Sequence, residues 1–432
     1  MKKLLTILFA LMLTIVACVS CGENGESKTD STTASTSESV TGGDKVTVKA
    51  GLITLHDENS TYDKNFIDAF KAACEATGVK FLIKSGIPEG NGCYDAAMEL
   101  VDEGCNYIFA DSFGHESFLL KAARECPNVQ FSHATGTTAH TEKVSNFHNA
   151  FASIYEGRYI AGVAAGLKLQ AMMDADSSVK PVVGYVGAYT YAEVISGYTS
   201  WYLGVKSIVP NVTMKVQFTG SWYDETAEKT AAETLIKEGA VLISQHADSM
   251  GAPNACETAG VPNVSYNGST EGSCPKTFII SSRINWQPYF EYCINAIADK
   301  KAIDTDWCGE LGETRDTGSV CYTELGKIAP VEGTDAKLAN VVAQIKSGAL
   351  KIFDVSKFTV TKTESKNVNA TVDEKGHLTG YMADVNTDPA YTADTEVIKT
   401  ENGVTYFAES VFRSAPYFDI QIDGIELLNA KY

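Results

Sequence analysis

Positive charge is what this chain is shortest of: 35 Lys and Arg stand against 54 Asp and Glu in 432 residues, a formal net charge of −19 at pH 7. A phosphate backbone is gripped by a basic face, so a general nucleic-acid binder is excluded. Apart from Cys18 and Cys21, no Cys-x-x-Cys pair or Cys/His cluster has the spacing of zinc ligands, so no metal is expected. There is no Gly-x-Ser-x-Gly elbow, no Walker loop, and no Gly-x-Gly-x-x-Gly after a strand. Those gaps remove the common nucleophile and phosphate-cradle chemistries, and no cofactor is expected. The apolar run from Leu4 to Ala17 falls short of the ~20 residues that span a bilayer.

That run reads instead as a signal peptide. Met1-Lys2-Lys3 supplies the positive start, and Ile15-Val16-Ala17-Cys18 resembles a bacterial lipobox. Cys18 is the expected lipidation site, with Cys21 as the alternative; two or three acyl chains hold a protein at a membrane where one does not. Gly22 to Asp44 is rich in Ser, Thr, Gly and Glu with no aromatic residue, which predicts a disordered tether. An acidic body suits a position just off an anionic membrane. Removing Cys18 and Cys21 from the 11 cysteines leaves nine, an odd number. Cys308 with Cys321 and Cys256 with Cys274 are the expected staples.

From Lys45 short apolar runs alternate with helical periods. Strands are predicted at Val46 to Leu55, Val79 to Ile83, Tyr107 to Ala110 and Val129 to Ser132. Helices are predicted over Asn65 to Thr77, Tyr94 to Glu103, Phe118 to Cys126 and Ile154 to Met172. The rhythm restarts with strands at Val182 to Val186, Met214 to Phe218, Val241 to Ser244 and Val264 to Tyr266, around helices Glu193 to Ile208 and Ala227 to Lys237. The expected fold is therefore α/β: two lobes, each a doubly wound, mainly parallel sheet, with a ligand cleft between them. The expected division is 1–21 signal and lipobox, 22–44 tether, 45–165 first lobe with a return at 276–302, and 166–275 second lobe. Residues 303–432 would complete the lobes and hinge.

Ligands of such sheets sit past the carboxyl ends of the strands. There lie His56 to Asp63, Asp111-Ser112-Phe113, Ser132 to Thr135, Ala188-Tyr189-Thr190, Gly220 to Asp224, Gln245 to Ser249 and Tyr266-Asn267. Aromatic planes mixed with short polar side chains suit a flat aromatic solute: the rings stack and Asp, Asn, Ser and His read its edge. The candidate ligand residues are Tyr62, Asp63, Ser112, Phe113, Tyr189, Trp222, His246, Asp248 and Asn267. Any one of these, taken alone, also reads as a ring or polar group that merely caps the core.

Glu156-Gly157-Arg158-Tyr159-Ile160-Ala161-Gly162-Val163-Ala164-Ala165-Gly166 resembles a hallmark helix of the basic membrane lipoprotein family, and Gly220-Ser221-Trp222-Tyr223-Asp224 and Gln245-His246-Ala247-Asp248-Ser249 are similar to a branch of it. The resemblance runs from about Lys45 to Tyr292. It implies a type I periplasmic-binding-protein fold and the substrate-binding protein of a purine nucleoside ABC transporter, partnered by a permease and its ATPase, monomeric and on the extracytoplasmic face. The family's stacking aromatics fall on Tyr62 and Trp222. Its base-reading asparagine falls on Asp63 and its ribose aspartate on Asn267, two departures. The family lysine expected near Ser281 to Asn285 is missing, with Arg283 the only cation close by. These changes leave the aromatic clamp intact and make a free purine nucleobase a rival to the nucleoside.

Other chemistries stay in view. Glu193, Asp224, His246 and Asp248 are acid–base candidates, with His246 and Asp248 a possible oriented pair, so a nucleosidase is the enzyme alternative. The chain is not expected to be an enzyme, because no run of acidic residues stands ready to hold a metal and activate water. A surface adhesin is the third class.

Overall fold

Lys49–Ile53 is buried along four of its five residues, the mark of a central parallel strand covered on both faces. It belongs to the protein's first sheet, in a computed structural model that describes residues 45–329, 331–387 and 392–429. The lipidation candidates Cys18 and Cys21 and the tether lie outside the described residues. The first sheet runs in the order Asp306–Gly309, Phe147–Ala152, Gln130–Ala134, Tyr107–Ala110, Lys49–Ile53, Lys80–Lys84, all parallel. The second runs Val320–Tyr322, Phe278–Ile284, Asn263–Tyr266, Ile243–His246, Val182–Gly187, Thr213–Phe218, Ile425–Leu427. Only Val320–Tyr322 is antiparallel to its neighbour. The architecture is the two-lobed α/β fold expected.

Each sheet changes winding direction once: at Lys49–Ile53 beside Tyr107–Ala110 in the first, and at Val182–Gly187 beside Ile243–His246 in the second. A crevice opens where neighbouring loops part to opposite faces. The loops after those four strands carry His56, Asp111, Tyr189 and Asp248.

The helix Thr61–Thr77 starts on the Ser60 side chain, which accepts from the Asp63 N–H, and stops at Gly78, whose φ of 70° only glycine adopts freely. The long helix Ile154–Ala175 crosses Ala192–Lys206 at backbone contact. A Cβ on Gly162 would stand 2.1 Å from the Trp201 carbonyl oxygen, and one on Gly204 2.3 Å from that of Tyr159. The small residues of the hallmark stretch thus let two helices touch.

Two expectations are corrected. Phe278–Ile284 pairs inside the second sheet, so the chain returns to the first lobe only at Gln287–Ala298, which packs on Thr61–Thr77 through the Phe66–Trp286 ring stack (4.5 Å). Neither cysteine staple forms, since all four thiols are free. Cys308 and Cys321 lie on strands of different sheets. Cys256 faces the Asn263 amide, and Cys274 points to Asn254.

Residues beyond 303 add edge strands to both sheets, place Thr334–Lys346 on the helix Ile154–Ala175, and form two small antiparallel sheets. Among the described residues no helix is long and apolar enough to cross a membrane.

Candidate functional site

A cavity of about 380 Å³ opens where the two crevices face each other. The first lobe lines it with Leu55, His56, Tyr62, Asp63, Ser112, Phe113 and Thr135, the second with Glu193, Trp222, His246, Asp248 and Tyr266. The lobes meet across it: the Thr61 N–H donates to the Asp248 carbonyl (3.0 Å), and the His56 and Tyr223 rings lie 5.2 Å apart.

The first wall carries one carboxyl, Asp63, with Asp111 beside it but off the wall. Asp63 is buried, yet its carboxyl is held below the ordinary range: burial works against the charge, and hydrogen bonds from His56 and Ser60 outweigh it. The His56 N–H reaches Oδ1 at 2.7 Å and the Ser60 hydroxyl reaches Oδ2 at 2.5 Å. Its neighbour Asp111 takes the opposite course. Burial, and then the Asp63 charge, push it well above the ordinary carboxylate range. Asp248 is pushed up the same way, by burial first and then by Asp63, Glu228 and Glu193. On the cavity wall, then, Asp63 is held toward its accepting, charged form and Asp248 is pushed toward its protonated form, a mixed edge suited to a ring carrying both N–H groups and ring nitrogens.

The second wall rests on a buried relay. Arg158 donates to the Tyr185 hydroxyl (2.5 Å), which stands 3.3 Å from His246 Nδ1, and His246 Nε2 stands 3.4 Å from Glu193 Oε1. Because the Tyr185 oxygen receives the arginine proton, its own proton goes to Nδ1, leaving Nε2–H to face Glu193. Burial pushes the His246 pKa down against the pull of Glu193, so the imidazole is neutral. The guanidinium of Arg158 also lies over the Tyr266 ring, 4.7 Å from its centre.

The sequence profile described as Bmp, ABC transporter substrate-binding protein PnrA-like, matches residues 52–307. The chain belongs to the Bmp family. It is 32% identical to a purine-binding protein of Brucella abortus over 58% of this chain and 69% of that one. It is 28% identical to a Haloferax volcanii protein provisionally named an ABC transporter glucose-binding protein, over 58% of this chain and 60% of that one. A nucleoside-binding ABC transporter protein of Lactococcus lactis is 23% identical over 48% of this chain and 57% of that one. Among solved structures, an ABC transporter solute-binding protein from Conexibacter woesei shares the fold: TM-score 0.56, 20% identity, 70% of this chain and 98% of that one. Bmp proteins are substrate-binding components of ABC transporters, which are not enzymes, and they work with a permease outside the cytoplasm.

Of the residues the sequence pointed to in this Bmp chain, Tyr62, Asp63, Ser112, Phe113, Trp222, His246 and Asp248 share the cavity wall. Tyr189 does not: it stacks on Tyr191 (5.1 Å) and meets Trp222 edge-on (5.1 Å), backing the clamp from behind. Asn267 also lies off the wall, buried at a φ of 66° with its Nδ2 unpartnered. Asp224 caps the helix Glu225–Lys237 by accepting from the Ala227 N–H, which takes it out of the acid–base candidates. The histidine's partner is Glu193 rather than Asp248. Arg158, Asp111, Glu193, Tyr266 and Thr135 were not singled out as ligand residues. For Arg158 the signal was present, an arginine on the buried face of an otherwise small and apolar helix, which is expensive unless paired. Among the described residues no group of three or more His, Cys, Asp or Glu could hold a metal.

Proposed function

We propose that this chain captures a purine nucleoside between its lobes and delivers it to an ABC permease, tethered to the membrane by lipid on Cys18 or, failing that, Cys21. The observation that carries the ligand reading is the meeting of Tyr62 and Trp222, one from each lobe, on a single cavity whose edge also carries Asp63 and Asp248. Stacking a base on an aromatic side chain contributes about 1–3 kcal/mol. The names of the Brucella and Lactococcus relatives support the same ligand class. A free purine base is the second reading, favoured by Asn267 standing off the cavity wall where the family holds the ribose. The division of the chain into lobes hinged at Ala152–Ile154 and Ile284–Trp286 belongs to the same proposal, because capture needs the cleft to open and close.

Calorimetric titration of the purified protein with adenine, guanine, hypoxanthine, their nucleosides and glucose tests it. Submicromolar binding of a nucleoside is expected, weakened more than tenfold in Trp222→Ala. Binding of bases alone would transfer the assignment to the second reading. Heat with glucose and with no purine would sink both. Fatty-acid labelling in cells, lost in Cys18→Ala, is the matching test of the anchor, and labelling that survives it would pass the role to Cys21.

A further inference from the structure

A second chamber, of about 950 Å³, adjoins the ligand cavity, and Phe113, Thr135 and Glu193 belong to the walls of both. Its outer wall comes from the C-terminal segment: Asp384, Thr387, Arg413, Pro416, Tyr417 and Asp419. That segment lies beyond residue 307, where the family match ends. We propose that it completes the ligand site, and that the second chamber takes a neutral, hydroxyl-bearing substituent on the ring held in the first. This rests on the purine reading above and deepens it.

Three observations carry the assignment. Thr135, at the junction of the chambers, is 4% exposed, and its hydroxyl has no partner. A buried hydroxyl without a partner is uncommon in a folded protein and points to a group that arrives from outside. Thr135 also holds a φ of 62°, a conformation a β-branched residue seldom adopts, and such strain gathers at ligand sites.

The second observation is the lining chemistry. Thr137, Thr190 and Thr387 bring hydroxyls, and Glu193, Asp384 and Asp419 bring carboxyls, a set that donates to and accepts from the hydroxyls of a sugar. The third is what the wall withholds. Among its described residues the one cation is Arg413, and that guanidinium is already committed. It donates to the carbonyls of Asp384, Val385, Ala415 and Pro416 and to the Thr387 hydroxyl, at 2.8–3.2 Å. Arg413 shapes the turn of the wall, and most of its N–H groups are spent on it. A phosphate entering here would meet three carboxyls against a single guanidinium that is tied to the wall, so a phosphorylated ligand is disfavoured.

Titration of the full chain with a base, its nucleoside and the nucleoside 5′-monophosphate tests this in the wild type and in two variants. Thr135→Val removes the orphan hydroxyl while keeping the shape. Asp419→Asn changes the C-terminal wall while leaving an acceptor for the Tyr381 hydroxyl that bonds it. In the wild type the nucleoside should bind at least tenfold tighter than its base and at least a hundredfold tighter than the monophosphate. Each variant should lower the nucleoside-to-base affinity ratio at least fivefold. An unchanged ratio in both variants, with the base still bound, would overturn the chamber and leave the purine reading standing. Binding of no purine would overturn that reading and this one with it.

Discussion

Glu409 is 2% exposed, and its Oε2 takes the N–H groups of Tyr417 and Phe418 at 3.2 and 3.1 Å. Burial pushes its carboxyl up to about 7, against Ser196 and Arg413, which favour the charge. A raised acid contributes stability that is fully present below the unfolded value, near 4.5, and is lost as pH rises through about 7. The buried histidines act with the opposite sign: burial pushes His115 and His148 down to about 4, so their contribution is lost as pH falls. The pH slope of the whole protein therefore mixes both, and a single substitution separates them. Glu409→Gln keeps an oxygen to accept the two N–H groups and removes the ionisation. At pH 8 it should stabilise the fold by about 2–3 kcal/mol, and at pH 5 its effect should fall below about 1 kcal/mol. Denaturant unfolding at the two pH values checks this; equal effects at both would show that Glu409 ionises freely in the folded state.

At the scale of elements, much was legible because periodicity and topology share one cause. Parallel strands buried on both faces are short apolar runs, and the helices between them carry the 3.6-residue period, so Tyr107 to Ala110 and Met214 to Phe218 could be read directly. Strand ends name the loops that meet at the cavity, so the positions of Tyr62, Trp222 and Asp248 on its wall follow from the topology. The edges were harder. Phe147–Ala152 holds histidine and asparagine in a fully buried strand, and nothing in such a composition announces a sheet. Asn285 and Trp286 look like any loop, yet they mark where the chain leaves the second sheet. A strand end gives the face a loop occupies but not the ring packing within it, which sets Tyr189 against Tyr191 and Trp222 rather than on the cavity wall. The C-terminal segment stayed unread because its strands are short, two to six residues, and pair either with earlier edges or only with one another. Ile425–Leu427 becomes a strand only by pairing with Met214 to Val216.

For the whole molecule the question is what holds the lobes together once a ligand is inside. A rim contact answers it in part: Phe113 of the first lobe stacks on Tyr191 of the second, with ring centres 5.1 Å apart and each ring 42% exposed. Two half-exposed aromatics at the mouth bury little and are not needed for folding, but they exist as a pair only when the cleft is closed. Stacked pairs contribute about 0.5–1.5 kcal/mol beyond area burial. That amount, removed from the closed state, should raise the ligand dissociation rate about two- to tenfold. Association should change by less than about twofold, because the open form that admits ligand lacks the contact. Stopped-flow fluorescence of Phe113→Ala, Tyr191→Ala and the double variant reads both rates. The singles should each speed release, and the double should be no faster than the faster single, since breaking a contact once breaks it fully. Phe113 lines the ligand cavity, and Tyr191 lines the second chamber and packs on Trp222, so each single variant carries an added loss and the comparison with the double variant is what isolates closure. If the two effects add, the rings act separately on the ligand and the closed state is held elsewhere, by Thr61 on the Asp248 carbonyl and His56 against Tyr223.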